Sequence, residues 1–127
     1  MAQQDDTGFR TFIAAGAISK YARVKISAAE TVDVAGITDR EIGTATNQAF
    51  AAGDRVTVKL RSAPGTHKMI FAAAVSVGAL AYTAASGKAS ASASTAFILG
   101  HVVAIDGTVA NGDIAEVLYG NHGDTAI

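Results

Sequence analysis

Cysteine is absent from this 127-residue chain. That excludes disulfide frameworks, thiolate nucleophiles and cysteine-ligated zinc together. Tryptophan is also absent, proline occurs once, and the aromatics are five phenylalanines and three tyrosines. A concave aromatic platform for a peptide or sugar therefore has little to be built from. Charge is scarce as well. Only 17% of residues are charged, against about a quarter in ordinary soluble chains. Ten basic and eleven acidic residues give a formal net charge of −1, so no electrostatic footprint for nucleic acid or a membrane surface follows. No apolar run approaches the ~18 residues of a membrane span. The opening MAQQDDTGFR lacks the basic start and apolar core of a signal peptide.

What is present is small and apolar. Half of the residues are hydrophobic, largely alanine and valine. A weakly charged, alanine-rich surface is the kind that neighbouring molecules cover, which points to oligomerisation. The length predicts one domain whose core needs no metal or disulfide staple.

The chain repeats the order turn, glycine, strand. AAGDRVTVKL (51–60) and ANGDIAEVLY (110–119) both run from Gly-Asp into an extended apolar segment, and SVGALAYT (76–83) is a weaker echo. Gly53, Gly78 and Gly112 are the turn glycines of this pattern. Glycine tolerates positive φ, and aspartate bonds nearby backbone. After Gly53, Val56, Val58 and Leu60 alternate with Arg55, Thr57 and Lys59, the period of a half-buried strand. Tyr21 to Ser27 alternates too, predicting Ala22, Val24 and Ile26 on one face and Tyr21, Arg23, Lys25 and Ser27 on the other. Further strands are predicted over 31–37, 40–46, 79–83 and 114–119. FILGHVVAI (97–105) reads as a strand covered on both faces. Met69 to Val77 is extended or helical, and Asp106-Gly107 signals a hairpin. SGKASASAST (86–95) reads as an exposed loop or flexible hairpin. Short strands between Gly, Asp, Ser and Ala turns predict an all-β fold: a small compact β-barrel or β-sandwich, tulip-like, with little helix. The expected division is an N-terminal arm (1–20), a β domain (21–120) and a C-terminal tail (121–127). Phe9, Arg10, Phe12 and Ile13 lie near the N-terminal end. They form either a first strand or helical turn on the core, or an extended arm that docks on a partner.

Reactive constellations are missing. There is no nucleophile elbow, no phosphate loop and no EF-hand pattern. His67, His101 and His122 stand at no metal-ligand spacing. His101 reads as a buried or interface residue, and the other two as loop residues. Asp54, Asp106 and Asp113 each adjoin a glycine, so turn structure accounts for them. No catalytic, metal or cofactor residues are assigned, and the expectation is a non-enzymatic protein that binds neither nucleic acid nor membrane.

Tyr21-Ala-Arg-Val-Lys, Gly36-Ile37, Ala52-Gly53-Asp54, Val77-Gly78 with Tyr82, Gly100-His-Val-Val-Ala and Gly112-Asp-Ile-Ala-Glu-Val follow one another in an order that resembles the capsid decoration, or cement, proteins of tailed bacteriophages. The resemblance spans Gly16 to Tyr119 and rests on short glycine-based motifs. His101-Val102 after Gly100 and the phenylalanine-bearing lead-in depart from it. It implies a compact β domain that assembles as a homotrimer. It also implies binding to the major capsid protein at three-fold and quasi-three-fold positions on the outer head surface, where the trimer strengthens the shell against packaged DNA. It implies no reaction and no cofactor. On this reading Phe9, Arg10, Phe12 and Ile13 are the capsid-binding arm. The alternatives are a small soluble β-barrel binding module, another virion component such as a head fibre base or tail part, and a hydrolase subunit using Asp54, Asp113 or His101.

Overall fold

The computed structural model describes residues 7–91, 96–105 and 113–119. The fold is all-β. Among the described residues, ten strands close into two five-stranded barrels. The first barrel holds β1 (Phe9–Ala14), β2 (Arg23–Ala28), β3 (Thr31–Val34), β4 (Gly43–Ala45) and β5 (Arg55–Leu60), in the order β1-β3-β2-β4-β5. The second holds β6 (His67–Phe71), β7 (Leu80–Thr83), β8 (Ala89–Ser90), β9 (Ile98–Ile105) and β10 (Asp113–Tyr119), in the order β10-β6-β8-β7-β9. One 3-10 turn, Ala85–Gly87, stands between β7 and β8. The linker that carries Pro64-Gly65 separates the barrels.

Each barrel has its own apolar cluster. Phe12, Ile18, Val24, Val32, Val56 and Val58 fill the first with four alanines between them. Met69, Phe71, Leu99, Val102 and Val117 fill the second. Small side chains suit a small barrel, because five strands leave room for only a narrow interior.

The N-terminal segment, read as either a first strand or turn on the core or a docking arm, is a barrel strand. β1 pairs antiparallel with β5 from Phe9↔Lys59 to Ile13↔Arg55, and parallel with β3 at Ile13↔Thr31 and Ala14↔Val32. Alternation then sorts the four arm residues by face. Phe12 is buried in the core, while Phe9 and Ile13 are each 40% exposed. Arg10 stacks over the Phe12 ring at 4.8 Å and reaches Glu30 at 3.5 Å. Without β1 the first barrel cannot close.

Three other expectations are corrected. Ile26 is exposed and Arg23 is fully buried, the reverse of the faces assigned from alternation. Beyond Val24, β2 leaves β4 and pairs with β3 alone, so Ile26 has no interior to enter; Arg23 is buried against the other barrel. β9 has one buried face, and His101, Val103 and Ala104 are exposed on the other. The start of SGKASASAST is built into the second barrel, with Ala89 fully buried and paired to Phe71 and Thr83. Asp106-Gly107, Gly112, His122 and the C-terminal tail lie outside the described residues.

The strand assignment separates the arm residues energetically. Phe12→Ala should cost about 3–5 kcal/mol of unfolding free energy, whereas Phe9→Ala and Ile13→Ala should each cost about 1 kcal/mol or less. Urea titration followed by circular dichroism measures both. A small loss at Phe12 as well would mean that the segment is not part of the core.

Candidate functional site at the joint between the barrels

The barrels meet through a polar joint centred on Arg23, the first residue of β2. Its Nε donates to the Lys88 carbonyl at 2.8 Å, and one terminal nitrogen donates to the Ala84 carbonyl at 2.6 Å and the Gly36 carbonyl at 3.2 Å. The other terminal nitrogen meets Glu41 Oε1 at 3.2 Å. Ala84 and Lys88 belong to the second barrel; Gly36 and Glu41 belong to the first. Burial lowers the Arg23 pKa and Glu41 opposes that shift, but a guanidinium remains protonated regardless.

Glu41 extends the network across the joint. Its Oε2 accepts from the Tyr119 hydroxyl at 2.9 Å, and Arg61 approaches the same oxygen at 3.8 Å. Burial, reinforced by the Glu41 charge, pushes the Tyr119 phenol well above its ordinary value, so it acts as a donor. Backbone contacts complete the joint: Thr83 Oγ1 donates to the Ile37 carbonyl at 2.6 Å, and Gly87 N donates to the Ala35 carbonyl at 2.7 Å. Gly87 has φ +73°, and a Cβ there would come within 2.9 Å of Val34 Cγ1. Only glycine fits. Arg40 stacks over the Phe97 ring at 4.3 Å.

His67 closes one side of the joint. Expected as a loop residue, it opens β6 and is 2% exposed. Nε2 lies 3.0 Å from the Leu60 carbonyl, so that nitrogen carries the proton. Nδ1 has no hydrogen-bond partner among the described residues, and the ring meets Tyr119 edge-on with centroids 4.6 Å apart. Burial lowers the His67 pKa; the Leu60 contact and distant Glu41 work against the shift, and Lys59 adds to it.

Beside the joint is a cleft of about 300 Å³, lined by β4 and β5 on one side and β6 and β10 on the other. Tyr21 forms part of its wall with φ +71°. A bulky side chain in that region is a genuine outlier that costs roughly 1–3 kcal/mol.

The remaining sequence candidates fall elsewhere. Gly53 and Gly78 take φ of +94° and +89° in the turns before β5 and β7. Asp54 Oδ2 accepts from Phe50 N and Ala51 N at 2.9 and 3.0 Å, which fixes its turn and presents Phe50, 76% exposed. Asp113 begins β10, in the other barrel from Asp54. His101 lies on the outer face of β9 between Leu80 and Leu118. Sequence reasoning missed Arg23, Glu41 and Tyr119. The only available signal was an arginine and a glutamate in an unusually charge-poor chain.

No family model and no curated protein sequence matches this chain. Among solved structures, the head fibre gp8.5 N base of bacteriophage phi29 superposes with a TM-score of 0.71 at 15% identity. The alignment covers 88% of this chain and 92% of that one, so the two share a fold over nearly their full lengths.

Two outcomes test the joint. Glu41→Ala leaves the Arg23 charge buried without its carboxylate and should cost about 3–5 kcal/mol, read as a shift in urea midpoint. His67 is held neutral, so its folded pKa lies below the unfolded value of about 6.5. Its contribution to stability is complete above that value and declines as pH falls below it, because the unfolded chain then binds more protons. Unfolding free energy should therefore drop between pH 7 and pH 5, and His67→Met should flatten that slope.

Proposed function

We propose that this chain is a structural protein of a tailed-bacteriophage virion, mounted on the outer surface of the head. The observation that carries the reading is the extent of the fold match: nearly all of this chain corresponds to nearly all of a head fibre base. The composition fits the same role, because a charge-poor, alanine-rich surface suits a protein surrounded by neighbours. So does the outer face of the second barrel, where Leu80, His101 and Leu118 are neighbours across three strands and Val77 and Val103 are also exposed.

The partners we assign are the major capsid protein and two further copies of the chain, in a homotrimer that touches the shell at several points. Each contact can be weak, since the first raises the effective concentration of the others. The protein performs no reaction and holds no cofactor. Within the virion, two roles are open to such a module: the base of a head fibre, and decoration that strengthens the shell. The fold likeness favours the base, and the glycine-strand motif order favours decoration.

Light scattering after size exclusion should give the mass of three chains. Purified heads that lack the protein should bind it saturably in co-sedimentation. Heads that show no saturable binding would overturn the virion reading. Bound heads that survive osmotic shock and heat better than bare ones would mark decoration; unchanged resistance would mark a fibre base.

A further inference from the structure

We propose that the cleft between the barrels is a receptor for a carboxylate-bearing loop of a partner protein, with the Tyr21 ring as its platform. The argument begins with the strained residue. Tyr21 holds a left-handed conformation that glycine or asparagine would accept at little cost. The turn is pinned by Tyr21 N donating to the Ala45 carbonyl at 2.8 Å and Ala22 N donating to the Ser19 carbonyl at 3.1 Å. Nothing in that backbone geometry calls for an aromatic side chain. Strain of this kind persists where the side chain itself is used.

The ring gathers positive charge from both barrels. Lys20 Nζ lies 5.0 Å from its centroid and Lys68 Nζ 5.7 Å. Neither lysine has an ion pair among the described residues. Lys59 is a third cation at the cleft, held in place by donation to the Thr66 carbonyl at 2.5 Å. Among the described residues that line the cleft, the opposing charge is Glu116, which is engaged by the Thr66 hydroxyl and lies across the sheet from Lys68. In a chain of net charge −1, two lysines at the Tyr21 ring, one of them shared with the cleft wall, and Lys59 on that same wall make a local positive site, complementary to an anion.

The size and shape choose the anion. About 300 Å³ is the lower end of ligand sites, enough for an acidic side chain and its flanking backbone. A nucleic-acid strand needs a basic track along successive phosphates, and here the positive charge is confined to one spot. The partner's identity as a shell protein rests on the virion reading; the chemistry of the cleft does not.

The test uses the full chain, labelled with nitrogen-15 and titrated at low salt with a hexaglutamate peptide. Hexaglutamine serves as the uncharged control and a six-nucleotide oligothymidine as the competing polyanion. Saturable shifts are expected at Tyr21, Thr44, Thr46 and Lys68, with hexaglutamine silent and the oligonucleotide weaker. Lys68→Met should weaken hexaglutamate about tenfold, the equivalent of 1.4 kcal/mol. Tyr21→Gly should abolish binding while Tm stays level or rises, which a purely structural tyrosine would not do. Shifts that never saturate, spread over lysines outside the cleft, or appear equally with hexaglutamine would overturn the proposal. Tighter binding of the oligonucleotide at the same residues would also overturn it. Head binding is scored separately. If heads bind and the peptide does not, only the cleft proposal fails; if the peptide binds and heads do not, only the virion reading fails.

Discussion

One buried guanidinium holds this molecule together. Arg23 begins β2 of the first barrel, yet two of its hydrogen bonds reach the carbonyls of Ala84 and Lys88 in the second. A barrel of about 55–60 residues is marginal alone, because so small a body buries too little of its surface. Here two such barrels, each with its own apolar cluster, are joined by this polar network and by Ile70 of β6, which packs against the first cluster. Apolar contacts would allow the barrels to slide past one another. A planar fork fixed to carbonyls and a carboxylate admits only one arrangement.

The rest of the joint follows from that geometry. Glu41 must be present to balance the charge, and Tyr119 must donate to its second oxygen. Gly87 must be glycine so that the turn after β7 can approach Val34 and Ala22. Tyr21 and Arg23 lie two residues apart at the start of β2, so the same segment that fixes the joint also sets one wall of the cleft. Structure and candidate site are therefore coupled through the three residues Tyr21 to Arg23.

The strands were legible because alternation is a local signal. Val56, Val58 and Leu60 announce β5 without reference to anything distant, and β7, β9 and β10 are similarly visible. Which strands close each barrel was not legible, since that depends on pairings such as β1 with β5 that lie far apart in sequence. The joint was hidden for a different reason. Alternation assigns charged residues to solvent, and it cannot distinguish water from a second barrel that offers carbonyls. Arg23 was misplaced on that account, as was the run of serines and alanines whose first part, with Ala89, is interior. The run around His101 erred in the opposite direction: a continuous apolar run suggests two covered faces, but His101, Val103 and Ala104 are exposed. The phenylalanines near the N-terminus suggested a docking arm, when Phe12 is core and only its neighbours face outward. The cleft left no sequence trace at all, because a left-handed tyrosine looks like any other.

Barrel closure also bears on crowding. An open sheet ends in a row of unpaired amides and carbonyls that can recruit another chain, and natural proteins guard such rims with charge. This sequence has little charge to spend, and its β-rich, alanine-rich segments would otherwise invite edge-to-edge growth. Both sheets close on themselves, so every described barrel strand has a neighbour on each side. The described strands thus leave no open sheet rim on which a strand of another chain could pair.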